Sequence, residues 1–368
     1  MTRSALTFFL MLLAAGLRAQ GPSVQYRFRH LSVADGLPQG SVYFMHQDRR
    51  GFMWLGTTDG LARFDGRNWR TFYSSLTGRS VTVYGIVEAP NGDLWIGSNK
   101  GLKHYVVERG SFEDVPDLPD DVLTFPFRLD GSQLWLLSEE DGLMTFDLKT
   151  RRKQRHGPRG EGKFLRQFHR FYNNFLSVDL RGRIYAVEEE SGLVRYDPAS
   201  RRVERWFSGR ADNRLGSPQT ITALRFTADG TLWLGTRAGL LRCDPERRTV
   251  KEFSGRYSFQ NVGITDIAEG PGGLLWLATE GEGILLFDPR TEQFVGHLRR
   301  EEGEPNSLQF DEVATLFVDR QGFVWVNTDP LGVDILFPYP PGHRFYSRTS
   351  MPDLRLSDFS VRGLAEDR

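Results

Sequence analysis

The residues of this chain best suited to act on a ligand lie in one basic, aromatic stretch, Arg151 to Phe175. It holds Arg151, Arg152, Lys153, Arg155, Arg159, Lys163, Arg166 and Arg170 against a single acid, Glu161. Phe164, Phe168, Phe171 and Tyr172 are interleaved with them. A guanidinium offers a planar fork of donors that matches a carboxylate or sulfate, and an aromatic ring offers an apolar face to a sugar. Arg166, Arg170 and Tyr172 are therefore candidates for binding an acidic oligosaccharide, with Asn99 and Lys100 as weaker candidates. The plainer reading of the stretch is a solvated outer strand and loop. Its charges would then pair with Glu139, Glu140, Glu188, Glu189 and Glu190, each pair contributing little.

Other reactive types do not assemble into a catalytic pattern. The seven histidines (His30, His46, His104, His156, His169, His297 and His343) show no HxH or HExxH spacing, so no metal site is indicated. The Gly-rich piece EGPGG, Glu269 to Gly273, lacks the helix and lysine of a phosphate loop, and no GxSxG elbow occurs. No cofactor is expected. Cys243 is the one cysteine, which rules out an intrachain disulfide. In LLRCDP it takes the place of aromatic residues in sibling segments and reads as a small apolar filler. The formal net charge is zero, so no global field draws the chain to nucleic acid.

The elements that must position these residues are set by a phrase that recurs seven times. It runs turn, apolar-Trp-apolar, small polar loop, Gly-apolar, aromatic-Asp. Its clearest copies are GFMWLGTTDGLARFD from Gly51, GDLWIGSNKGLKHY from Gly92 and GTLWLGTRAGLLRCD from Gly230. The marker aromatics are Trp54, Trp95, Trp135, Tyr185, Trp233, Trp276 and Trp325, spaced by 40 to 50 residues. A repeat of that length made of short strands is one blade of a propeller. The second repeat reads as four strands: Val83 to Glu88, Leu94 to Gly97, Leu102 to Val106, and an outer one near Gly110 to Val115. The fold class expected is all-β, a seven-bladed propeller of four-stranded blades. A bulky aromatic at one fixed place per repeat packs blade against blade; a sugar-stacking ladder is the competing use of these rings.

Both ends carry information. Arg3 followed by the 13-residue apolar run Ala5 to Leu17, and Leu17-Arg18-Ala19 before Gln20, make residues 1–19 an export signal. A periplasmic or secreted location follows. No apolar stretch reaches the length of a membrane span. Residues 20–350 are assigned to the propeller. Residues 351–368 are read as the truncated start of an eighth repeat, because VRGLAEDR from Val361 aligns with VATLFVDR from Val313. Tyr26 to Leu31 (YRFRHL) resembles His343 to Arg348 (HRFYSR). The N-terminal segment is thus expected to complete either the last blade or a neighbouring ring.

The opening HLSVADGLPQGSVYFMHQDRRGFMWLGTTDGLARFDG resembles the two-component regulator propeller repeats of bacterial sensors, and the resemblance extends from Tyr26 to Arg368. Repeats four and seven depart from the pattern, with Tyr185 for Trp and with Asn327 for Gly. The resemblance implies a periplasmic sensor region, often of two seven-bladed propellers. A β-sandwich, a membrane helix and a kinase-type output normally follow, with signalling through a homodimer formed by those downstream domains. Relatives of this kind often sense glycan fragments. The alternative is an exported propeller enzyme such as a lyase, which would need histidines or carboxylates clustered on a loop face, with a metal.

Overall fold

Each repeat folds as an antiparallel, four-stranded sheet, and seven such sheets make up the protein. The computed structural model describes residues 26–72, 81–120, 122–157, 175–188, 192–206, 221–253 and 262–338. The export signal (1–19) and the start of an eighth repeat (351–368) lie outside the described residues, as do Arg166, Arg170 and Tyr172. The propeller is the unit Phe28–Phe337; the chain's other unit, 1–27 with 338–368, is described only at three residues. Among the described residues the helical pieces are single 3-10 turns at Val33–Asp35 and Pro271–Gly273.

Blades 1 to 6 span residues 42–72, 83–114, 124–155, 176–206, 221–253 and 264–298. Blade 7 takes three strands from 315–338, and its fourth and outermost is Tyr26–Leu31, paired beside Gly332–Pro338. The N-terminal strand therefore closes this ring. Its role follows from edge chemistry: a three-stranded last blade would leave a row of unpaired backbone groups, which this strand satisfies.

The second strand of each blade carries the marker aromatic and is the most buried. Met53–Thr57, Leu94–Ser98, Leu232–Thr236, Leu275–Thr279 and Val324–Thr328 are buried at every position. The seven marker aromatics are all buried. Their neighbours lie on the next blade: Trp54 meets Tyr105 at 5.0 Å, Trp233 meets Phe287 at 5.5 Å, and Trp325 meets Phe64 at 6.1 Å. Edge-to-face contacts of this kind favour ring pairs beyond simple area burial. The rings thus mortar the blades together and leave no ladder for a sugar.

The last word of the repeat, aromatic-Asp, is explained by the turn between third and fourth strands. Asp65 Oδ1 accepts from the N–H groups of Arg67 and Asn68 at 2.8 and 2.7 Å. Asp147, Asp197 and Asp244 hold the same turn in blades 3, 4 and 5. An acid at this place supplies the acceptor that a tight turn lacks. Arg151, Arg201 and Arg248 follow four residues later with φ near 60°.

Candidate functional site

The ring has two faces. One carries the loops between second and third strands and between successive blades; we call it the loop face. The other carries the two remaining sets of hairpin turns.

On the loop face, the hydroxyl two residues past the marker's neighbour caps the turn. Thr57, Ser98, Thr236 and Thr279 each donate to a glycine carbonyl, of Gly60, Gly101, Gly239 and Gly283, at 2.8 to 3.0 Å. Asn99 and Lys100 sit on this face in the Ser98–Gly101 turn. Asn99 Oδ1 accepts from Thr82 N at 3.0 Å, which commits its carbonyl to holding the turn. Lys100 is exposed. Arg151 and Arg155, the described arginines of the basic stretch with ion pairs, meet Asp117 and Asp141. The partners expected from sequence are Glu139, Glu140 and Glu188 to Glu190; most of the basic stretch that would meet them lies outside the described residues. Lys153–Arg155 is the exposed outer strand of blade 3.

Bulges shape this face from the inside. In blades 1, 2, 5 and 6 the innermost strand slips register over one residue at its loop-face end. The extra residues are Tyr43, Tyr84, Thr222 and Thr265. A bulge frees one residue from the ladder and re-aims its side chain. Tyr43 and Tyr84 stack on each other at 5.8 Å. Thr222 and Thr265 donate across the blade boundary to the carbonyls of Ile264 and Val313, each at 2.5 Å.

A hollow of about 200 Å³ opens on the loop face where blades 6, 7 and 1 meet. Its polar lining includes Ser41, Tyr43, Glu312, Thr315, Asn327 and Asp329. Position 327 explains why it exists. In blades 1, 2 and 5 this place is Gly56, Gly97 and Gly235, where an added Cβ would come within 2.8, 2.2 and 2.8 Å of the next blade. Between blades 7 and 1 an asparagine fits. Its Nδ2 donates to Val42 O at 2.8 Å. The acceptor there fixes the amide's orientation, since only the nitrogen can donate to a carbonyl. Asp329 accepts from Ser41 Oγ at 2.5 Å. Burial first, and then the Asp329 charge, raises the Tyr43 hydroxyl above its usual range.

A larger hollow, about 660 Å³, lies on the opposite face between blades 4 and 5. Most of its charged side chains are ion-paired. Arg183 meets Asp179 and Glu246, each at 2.6 Å, and Arg247 meets Asp244 at 3.0 Å. Arg242 meets Glu292 at 3.0 Å.

Two buried groups, Cys243 and Asp266, and the half-buried His156 are displaced from their ordinary pKa values. The Cys243 thiol is pushed up to about 12, mainly by burial, so it stays a thiol at neutral pH. Burial takes His156 down to about 4. Asp266 is fully buried and pushed up to about 6, against the bonds it accepts from Leu316 N at 2.7 Å and Thr315 Oγ1 at 3.0 Å. The three groups lie in three different blades, 3, 5 and 6. Among the described residues no group of three His, Cys, Asp or Glu side chains is arranged to hold a metal. Carboxylates do gather at the loop-face hollow, but no histidine lines it among the described residues. Sequence reasoning noted Asn327 only as a departure from the repeat; its approach to blade 1 gives that departure a place.

Two stretches of the chain, 36–59 and 77–100, match a family model described as two component regulator propeller. Histidine kinase P4 of Formosa agariphila is 40% identical over 60 residues, which is 16% of this chain and 4% of that protein. Among solved structures, one described as the extracellular domain of the hybrid two component system BT3049 from B. thetaiotaomicron has TM-score 0.67 at 22% identity. The match covers 86% of this chain and 42% of that one. A streptogramin B lyase structure has TM-score 0.59 at 13% identity, covering 85% of this chain and 98% of that one. The chain thus spans less than half the length of the sensor domain and a small fraction of the kinase. At these identities the solved structures speak to fold. The molecule is a seven-bladed β-propeller of four-stranded blades. Its first two repeats carry the matches to the two component regulator propeller model. Among the described residues no helix is long and apolar enough to cross a membrane.

Proposed function

We propose that this chain is the ligand-recognising region of an extracytoplasmic sensor in a bacterial signal-transduction protein, and that it reads a glycan-type ligand on its loop face. The observation that supports this most is the match of two repeats to the two component regulator propeller model. The physical argument is that loops on a rigid ring can vary without disturbing the core, so recognition residues gather there. Binding would be passed on through a homodimer made by domains beyond this region. Arg166, Arg170 and Tyr172 are proposed contacts for an acidic sugar, with Lys100 on the same face.

The test is calorimetric titration of the full chain with a panel of neutral and acidic oligosaccharides, comparing wild type with the double variant Arg166→Ala/Arg170→Ala. At least about a tenfold loss of affinity in the variant is expected, the scale of a forked charged contact. An unchanged affinity for a ligand that does bind removes the basic stretch from the site. A panel in which nothing binds argues against sensing of glycans.

A further inference from the structure

One histidine fastens the strand that closes the ring. That strand, Tyr26–Leu31, is the outermost of blade 7 and pairs with Gly332–Pro338. It also meets the connection that runs from blade 6 to blade 7, residues 299–314. Phe28 N donates to Asn306 Oδ1 of that connection at 2.9 Å. His30 reaches both neighbours. Its Nδ1 is 2.7 Å from Asp334 Oδ1, and its Nε2 is 3.0 Å from Pro305 O.

The partners decide the charge of this ring. Asp334 is fully buried, and both of its oxygens accept from Gln309. Oδ1 takes the side-chain amide at 2.6 Å and Oδ2 the backbone N–H at 2.9 Å. Neither oxygen has a proton to offer, and the Pro305 carbonyl has none either. Both ring nitrogens of His30 therefore face acceptors. Both bonds form only when each nitrogen carries a hydrogen, which is the imidazolium. The Asp334 hydrogen bond, opposed by burial and helped by the Asp334 charge and the Pro305 carbonyl, holds the ring above its ordinary 6.5. A neutral ring keeps one N–H. It turns a lone pair on either Asp334 or Pro305 O, and one bond is lost.

The other charges close by are engaged elsewhere or wet. Arg29, next on the strand, donates to Gly66 O of blade 1 and lies over the Phe64 ring. Arg300, Glu301 and Glu304 of the connection line a shallow hollow with His30. Glu304 Oε1 accepts from Asn306 N, while Arg300 and Glu301 are exposed, where solvent screens them.

We infer that His30 is a pH-sensitive clasp: charged, it ties the closing strand to blade 7 and to the 299–314 connection, and uncharged, it lets that strand loosen from both. Unfolded, the ring titrates near 6.5; folded, it keeps its proton to higher pH. The clasp is therefore complete below about pH 6.5 and is lost as pH rises through the folded value. Loosening uncovers the backbone edge of Gly332–Pro338, so an alkaline medium opens the ring at this seam. The device does not depend on the ligand reading above.

In the full chain, NMR titration of the His30 ring should give a midpoint above 6.5. Hydrogen exchange, corrected for the intrinsic rate, should be at least about tenfold faster at about pH 9 than at about pH 6 in residues 28–31 and 305–309, the scale of one charged hydrogen bond. The strands of blades 4 and 5 should show no such change. His30→Gln alters a partly exposed side chain on an outer strand. At about pH 6 it should exchange as wild type does at about pH 9, and its pH response should vanish. A midpoint at or below 6.5 overturns the inference. So does equal exchange at the two pH values in wild type, or an undiminished response in His30→Gln. Should His30→Gln not fold, the wild-type midpoint and exchange decide.

Discussion

Two of the hollows among the described residues differ in what their charges face. On the turn side, between blades 4 and 5, arginines and acids meet one another: Arg183 with Asp179 and Glu246, Arg247 with Asp244. On the loop side, between blades 7 and 1, carboxylates collect without a basic residue among the described lining. The first hollow is more than three times the volume of the second, yet most of its charged side chains already have partners. A guest there would have to replace ion pairs, whereas one in the smaller hollow would meet carboxylates with no basic residue beside them in the described lining. Size alone is a poor guide to where a protein binds.

The sharpest way to separate the two is through their walls. Tyr185 lines the larger hollow but is fully buried, with its ring 4.8 Å from Phe226 of the next blade. Tyr185→Ala should lower unfolding free energy by about 3–5 kcal/mol, the usual cost of emptying a large aromatic site. Urea unfolding that shows a loss under about 1 kcal/mol would mean this wall is surface, and that the hollow is freer to bind than its ion pairs suggest.

Next in size is a pH effect beneath the smaller hollow. Asp266 is buried there, bonded to Thr315 of its lining, with a carboxyl pushed up from 3.8 to about 6. Below about pH 4 it is protonated folded or unfolded and makes no difference. As pH rises from about 4 to about 6 the unfolded chain ionises and the folded one resists, so stability falls across that window, by about 3 kcal/mol. His156, taken down to about 4, works in the opposite direction over a similar range. The measurement is therefore the difference between wild type and Asp266→Asn, in which His156 cancels. Parallel curves of denaturation midpoint against pH would show that Asp266 ionises normally.

Smaller still is Asn327→Ala. It removes one hydrogen bond to Val42, a loss of about 1 kcal/mol, and also removes an acceptor without a donor, a gain of similar size. The net shift in stability, read from urea unfolding, should be within about 1 kcal/mol. A loss well beyond that would show the amide to be a structural tie between blades. The smallest effect belongs to the ion pairs of the larger hollow. Glu246→Gln leaves Arg183 its bond to Asp179 and should cost about 0.5 kcal/mol at most, since the glutamate is 56% exposed. A larger loss in urea unfolding would show that Arg183 depends on both acids.

The fold was legible because its repeat is dense. The second repeat's strands read from sequence as 83–88, 94–97, 102–106 and about 110–115 are Val83–Glu88, Leu94–Ser98, Gly101–Val106 and Ser111–Asp114 in the structure. Ring closure was half legible: the N-terminal strand's likeness to an outer strand was visible, but which ring it joined depends on pairing that no local signal encodes. The hollow was not legible. Its walls come from residues up to 288 apart, such as Ser41 and Asp329, and Asn327 looked only like a lapse from the Gly-Thr pattern. The Asp of each aromatic-Asp pair was seen as a marker, while its use as a turn acceptor needed the backbone. Asp48 and Asp319 were missed as partners of the marker rings; each accepts from the indole N–H of Trp54 or Trp325 at 2.9 Å. An acid six residues before the tryptophan was the available signal.

The bulges at the mouth of the ring have a consequence for how such a protein changes over time. Tyr43, Tyr84, Thr222 and Thr265 each sit where a strand carries one residue more than its neighbour. A residue outside the ladder can be exchanged without shifting the register of the rest. These blades already use that liberty, with tyrosine in two and threonine in two. The propeller therefore offers an alphabet: one rewritable letter per bulged blade, printed around a common opening, on a page whose binding is kept by the tryptophans.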